Sequence, residues 1–113
     1  MKNLILVALV FLGVQANAEI ECVNGKKYTL TITEDSSGSA KMTYRTKNKV
    51  VEFDKCQKAG PFDNIMSGWL VTTYGCTGAE GAGRIEVYLG EGQDQIQANI
   101  FYKNDDTVAC IKK

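Results

Sequence analysis

The sequence predicts an all-β domain stapled by disulfides: a small antiparallel up-and-down β-barrel of about eight short strands, or a sandwich of the same strands. Three observations lead there. Apolar residues recur at every second position, and no stretch after residue 18 has a convincing helical period. Turn-forming residues interrupt the pattern at close, fairly regular spacing. Four cysteines, Cys22, Cys56, Cys76 and Cys110, all follow a segment laid out as a secretory leader.

The leader comes first. Lys2 gives a positive start, Leu4–Leu12 is an unbroken apolar run, and Ala16-Asn17-Ala18 is a small-residue cleavage site. Residues 1–18 are therefore expected to be removed before Glu19, leaving residues 19–113 as a single all-β domain. The leader is of bacterial type, so the expected location is the periplasm or the medium. Cys22 sits behind the charged Glu21, which does not suit a lipoprotein cut. No other apolar run approaches the ~20 residues of a membrane span.

The strands follow in order. Ile20–Val23 is joined through Asn24-Gly25, a strong hairpin signal, to a strand in which Tyr28, Leu30 and Ile32 alternate with threonines. Ala40, Met42 and Tyr44 alternate with Lys41, Thr43 and Arg45, and Lys47-Asn48 turns the chain into Lys49–Phe53. Trp69–Tyr74 is rich in aromatic and β-branched residues. Ile85, Val87 and Leu89 form the next apolar face. After Gly90-Glu91-Gly92, Ile96, Ala98, Ile100 and Tyr102 form another, and Asn104-Asp105-Asp106 turns the chain into Thr107–Ile111. Two segments break the pattern: Gln57–Ser67, the longest loop, with the only proline (Pro61), and the glycine-rich Gly75–Gly83. Loops on a rigid scaffold are where binding usually resides.

Four cysteines allow three pairings. Chain entropy does not choose: separate closure gives about 4.6 and 3.3 kcal/mol for Cys22–Cys110 and Cys56–Cys76, against about 3.8 kcal/mol for each sequential pair. Barrel closure favours the first pairing. The first and last strands of an up-and-down barrel pair, and Cys22 and Cys110 both lie in phase with inward residues. Cys56–Cys76 would then bring the two irregular segments side by side at one end.

The chemistry is sparse. Thirteen basic and thirteen acidic residues balance, and losing Lys2 shifts the remainder only slightly acidic, so steering toward nucleic acid or anionic membranes is not expected. The absence of histidine removes Ser-His and Cys-His nucleophiles and His-containing zinc sites. No C-x-x-C knuckle supports a thiolate metal site. Asn104–Asp106 lacks the spacing of a calcium loop, and Gly75–Gly83 is followed by a strand rather than the helix of a phosphate cradle. No carboxylate pair stands in a catalytic relation. No cofactor, metal or enzymatic activity is expected.

Aromatic residues are the remaining candidates. Trp69, Tyr74, Tyr88, Phe101 and Tyr102 fit core packing and cross-strand pairing. Tyr88 and Phe101, however, fall on the polar face of neighbouring strands, where two rings together suit a partner-contact patch. Phe62, within the long loop beside Pro61, and Trp69, just beyond it, join them as candidate contacts.

In outline the chain resembles the small bacterial periplasmic inhibitors of lysozyme, on Cys22-x-x-Gly25, the terminal Cys110 and overall size. The inhibitory loop motif of that family is not found, so no residue role carries over. The leading functional expectation is a non-enzymatic protein-binding or inhibitor-like module with an extracellular or periplasmic protein as partner. The alternatives are a lipocalin-like carrier of a small apolar ligand, a structural envelope protein that associates with itself, and, last, a carboxylate enzyme.

Overall fold

The computed structural model describes residues 18–79 and 81–113. Apart from Ala18, the predicted leader lies outside these residues. Among them the chain forms nine strands: β1 (Ala18–Asn24), β2 (Tyr28–Glu34), β3 (Ala40–Arg45), β4 (Val50–Phe53), β5 (Lys55–Asn64), β6 (Trp69–Thr77), β7 (Arg84–Glu91), β8 (Ile96–Tyr102) and β9 (Asn104–Lys112). All belong to one antiparallel sheet in the order β4-β3-β2-β1-β9-β8-β7-β6-β5, curled into a nearly closed barrel. No described residue is helical.

Local chemistry makes the turns. Between β1 and β2, Gly25 takes φ 51° and Lys27 N donates to Asn24 O at 2.9 Å. Only glycine adopts that backbone readily. Between β2 and β3, Asp35 Oδ1 accepts from the N–H groups of Ser37 and Ser39 at 2.9 and 3.0 Å. Thr46 N donates to Lys49 O at 2.9 Å, closing the turn into β4.

The alternation resolves as expected. Leu30, Ile32, Met42, Ile85, Val87, Leu89, Ala98 and Ile100 are all buried, with Phe53 among them, so one face of these strands fills the interior. The first and last strands pair, with Cys22 opposite Cys110 in register, and the two disulfides are Cys22–Cys110 and Cys56–Cys76.

Five expectations need correction. There are nine strands rather than eight, because much of the segment read as the loop Gln57–Ser67 belongs to β5. Its residues are almost all exposed and show no apolar alternation, so only the ladder to β6 defines it. It is an edge strand whose register shifts between Ala59 and Phe62, around the cis Gly60–Pro61 bond. Proline and bulges are tolerated at such edges.

The glycine-rich segment is also shorter than expected, since Gly75–Thr77 continues β6. The two irregular segments are not side by side: Lys55 pairs with Thr77 at one end of the β5–β6 hairpin, and Asn64 pairs with Trp69 at the other. The remaining glycine loop follows Thr77, while the hairpin tip lies at the far end. The last two corrections concern turns. Gly90 and Glu91 belong to β7, and Gly92 N donates to Gln95 O at 2.8 Å beyond them. Asn104–Asp106 belong to β9, because the β8–β9 ladder runs out to Tyr102–Asn104 and Lys103 alone, at φ 71°, takes up the reversal.

The break in the barrel lies between β4 and β5, which are joined only by Asp54. The chain thus passes from one free edge of the sheet to the other through a single residue.

Candidate functional site

The β5–β6 hairpin ends in a four-residue tip, Ile65–Gly68, tied at every step. Gly68 N donates to Asn64 O at 2.7 Å, and Asn64 Oδ1 accepts from Met66 N and Ser67 N at 3.1 and 3.3 Å. Trp69 N donates to Ser67 Oγ at 3.2 Å. Asparagine side chains stabilise turns in this way, by accepting from backbone N–H groups a few residues on. This tied backbone holds Ile65 and Met66 outward, 92% and 95% exposed.

From the tip an apolar band runs across the outer face of the sheet. Phe62 on β5 faces Val71 on β6, and Val71 faces Gly90 on β7. Trp69 lies across the glycines beyond: a Cβ on Gly90 would stand 2.9 Å from Trp69 Cε3, and one on Gly92 2.6 Å from Cε2. Only the absence of side chains there lets the indole lie flat. Further along, Tyr88 and Phe101 meet edge to face, with centroids 5.6 Å apart and planes at 82°. All four candidate contacts, Phe62, Trp69, Tyr88 and Phe101, therefore share one outer face spanning β5 to β8. Phe62, Tyr88 and Phe101 are 58%, 44% and 39% exposed.

Ile65 and Met66 were missed by sequence reasoning, which took their segment as a loop without asking what it exposes. Two adjacent apolar residues between Asn64 and Ser67-Gly68 were the available signal, because such a turn has no core to face.

Polar chemistry concentrates at two places inside the barrel. At one end Glu34, the last residue of β2, reaches across the open seam. Lys58 Nζ lies 2.9 Å from its Oε1 and 2.8 Å from its Oε2, and Tyr74 Oη donates to Oε2 at 2.8 Å. Partial burial would raise the Glu34 carboxyl, but the hydrogen bonds from Lys58 and Tyr74, with the Lys58 charge, hold it below its ordinary value. Burial and the adjacent carboxylate push the Tyr74 phenol well up. These groups line a cleft of about 220 Å³ with Glu91 and Lys112, themselves paired at 3.1 Å.

The second place is an aromatic cluster. Tyr28 stacks tilted on Tyr44 at 4.7 Å, and the edge of Tyr102 meets Tyr44 at 4.9 Å and Phe53 at 5.2 Å. Tyr28 Oη donates to Asp106 Oδ2 at 2.9 Å. Burial first, then Asp106, push its phenol up to about 12. Among the described residues no three His, Cys, Asp or Glu side chains group as metal ligands. All four cysteines are in disulfides.

No known family model, curated protein or solved structure matches the chain. The outline resemblance noted from the sequence thus rests on Cys22, Gly25, Cys110 and length alone.

Proposed function

We propose that the protein is an exported, non-enzymatic binding module that presents the β5–β6 hairpin tip and its adjoining outer band to a protein partner outside the cytosol. The observation that carries this reading is the pair Ile65 and Met66, almost wholly exposed on a backbone fixed by four hydrogen bonds. Exposed aliphatic side chains beside an aromatic band mark contact surfaces. A tip ordered beforehand also loses little conformational freedom on docking. Two intramolecular disulfides support a setting outside the cytosol. The carrier reading is less well supported, because Phe53, Leu30, Met42, Ile85 and Leu89 occupy the interior where a ligand would have to sit.

The test compares the oxidised protein with its Ile65→Ser/Met66→Ser variant as immobilised bait against periplasmic extract, culture medium and purified lysozymes and proteases. A protein retained at micromolar concentration by the native chain and lost by the variant is the expected result. No retained protein, or equal retention by both, overturns the reading.

A further inference from the structure

Between the hairpin tip and the Tyr88–Phe101 pair, the outer face carries an open cleft of about 320 Å³. Gly90, flanked in register by Val71 and Gln97, lies beneath the Trp69 indole at the base of the cleft. Trp69 and Tyr88 contribute rings, and Asn64, Ser67, Gln97 and Asn99 contribute the polar groups. None of the lining residues is charged. The size sits at the low end of the range of about 300–1,000 Å³ typical of small-ligand sites.

The polar groups are partly committed. Asn64 Oδ1 already accepts from the tip backbone, and Ser67 Oγ accepts from Trp69 N. Asn99 Oδ1 accepts from Thr107 Oγ1 at 2.9 Å. What these side chains have left to offer is therefore mainly donors: two amide NH₂ groups and one hydroxyl, with Gln97 adding a further amide. A complementary ligand carries several neutral acceptor oxygens and an apolar face to lie against a ring. Carboxylates and phosphates would find no cation here. A peptide would find no free strand edge, since β6, β7 and β8 are each paired on both sides.

From this lining we infer that the cleft is a binding site for a neutral oligosaccharide. A pyranose ring presents one face of C–H bonds, slightly positive, which suits the negative face of an indole or phenol. Its hydroxyl and ring oxygens lie around the rim, within the reach of the amide side chains that line the cleft. The indole, seated on Gly90 and Gly92, would meet the sugar with its outer face. The site shares Trp69 and Tyr88 with the outer band of the protein contact proposed above but does not use Ile65 or Met66, so the two can be separated by substitution.

Trp69 is the only tryptophan in the chain, so all tryptophan fluorescence comes from the wall of this cleft. The full oxidised protein is titrated with cellotetraose, maltotetraose and N-acetylated chitotetraose, with tetragalacturonate as the anionic comparison. A saturable change is expected with at least one neutral sugar, stronger than with the anionic one, and calorimetry should give the same affinity. Tyr88→Ala and Gln97→Ala, both on the outer face, should each weaken binding about tenfold or more. Ile65→Ser/Met66→Ser should leave it unchanged while abolishing protein capture. No saturable signal with any neutral sugar up to about 10 mM, above the millimolar range of weak specific binding, overturns the proposal. Equal affinity in Tyr88→Ala, or tighter binding of the anionic sugar, also overturns it.

Discussion

Replacing Glu34 by alanine should cost the fold about 2–4 kcal/mol, as the contacts of its two oxygens allow. Tyr74 is only 4% exposed, and its hydroxyl donates to Glu34 Oε2. Orphaning that donor costs about 1–3 kcal/mol. The Lys58 ion pair, with side chains 31% and 21% exposed, adds about 1 kcal/mol, near the upper end for partly solvated pairs. Tyr74→Phe should cost less, about 1–2 kcal/mol, because it removes the buried hydroxyl instead of stranding it. The acid dependence has a definite sign. The folded carboxyl lies below its unfolded value, so the stabilisation is complete above the ordinary glutamate pKa and fades as pH falls through the folded one. Urea unfolding followed by Trp69 fluorescence, from neutral pH into the acid range, measures both effects. A Glu34→Ala variant within about 0.5 kcal/mol of the native chain at pH 7, or a gap that stays constant into acid, would refute the reasoning.

Three further outcomes are expected. Cys22→Ala/Cys110→Ala opens a closure of 88 residues and Cys56→Ala/Cys76→Ala one of 20, so chain entropy predicts the greater loss for the first, up to about 4.6 against 3.3 kcal/mol. Denaturation midpoints in the opposite order would argue against that account. Phe53→Ala, which empties a fully buried site beside Tyr102, should cost about 3–5 kcal/mol in chemical denaturation. Tyr28 should ionise near 12 in an ultraviolet titration, so its contribution is present below the ordinary tyrosine value and lost as pH rises through the folded one. Tyr28→Phe should remove that alkaline step.

The strands with one buried face were legible because burial imposes period two on their residues. In β2 the buried Tyr28, Leu30 and Ile32 alternate with threonines, and in β7 the buried Ile85, Val87 and Leu89 alternate with Glu86 and Tyr88. The cysteine pairing was legible for a related reason, since Cys22 and Cys110 share the phase of their buried neighbours. β5 was not, because an exposed edge strand carries no such imprint and its evidence lies in its partner's hydrogen bonds. The Glu34 clasp was invisible for another reason: its partners stand 24 and 40 residues away, brought together only by curvature of the sheet. Of the outer surface, Tyr88 and Phe101 stood out as rings on a polar face. Trp69 owes its placement to glycines on the next strand, which no local pattern reveals.

The single-residue step at Asp54 has a consequence for how the chain is threaded. Read around the sheet from β5, the order is β6, β7, β8, β9, β1, β2, β3 and β4, a plain meander interrupted only where β9 meets β1. The two strands already touch there, with Lys113 N donating to Glu19 O at 2.9 Å. A circular permutant of residues 18–113, linked there and opened at Asp54, would keep every ladder while making each one a hairpin between sequence neighbours. It would fold faster, because the β1–β9 zipper, now the one pairing that must wait for the whole length to return, would become a local event.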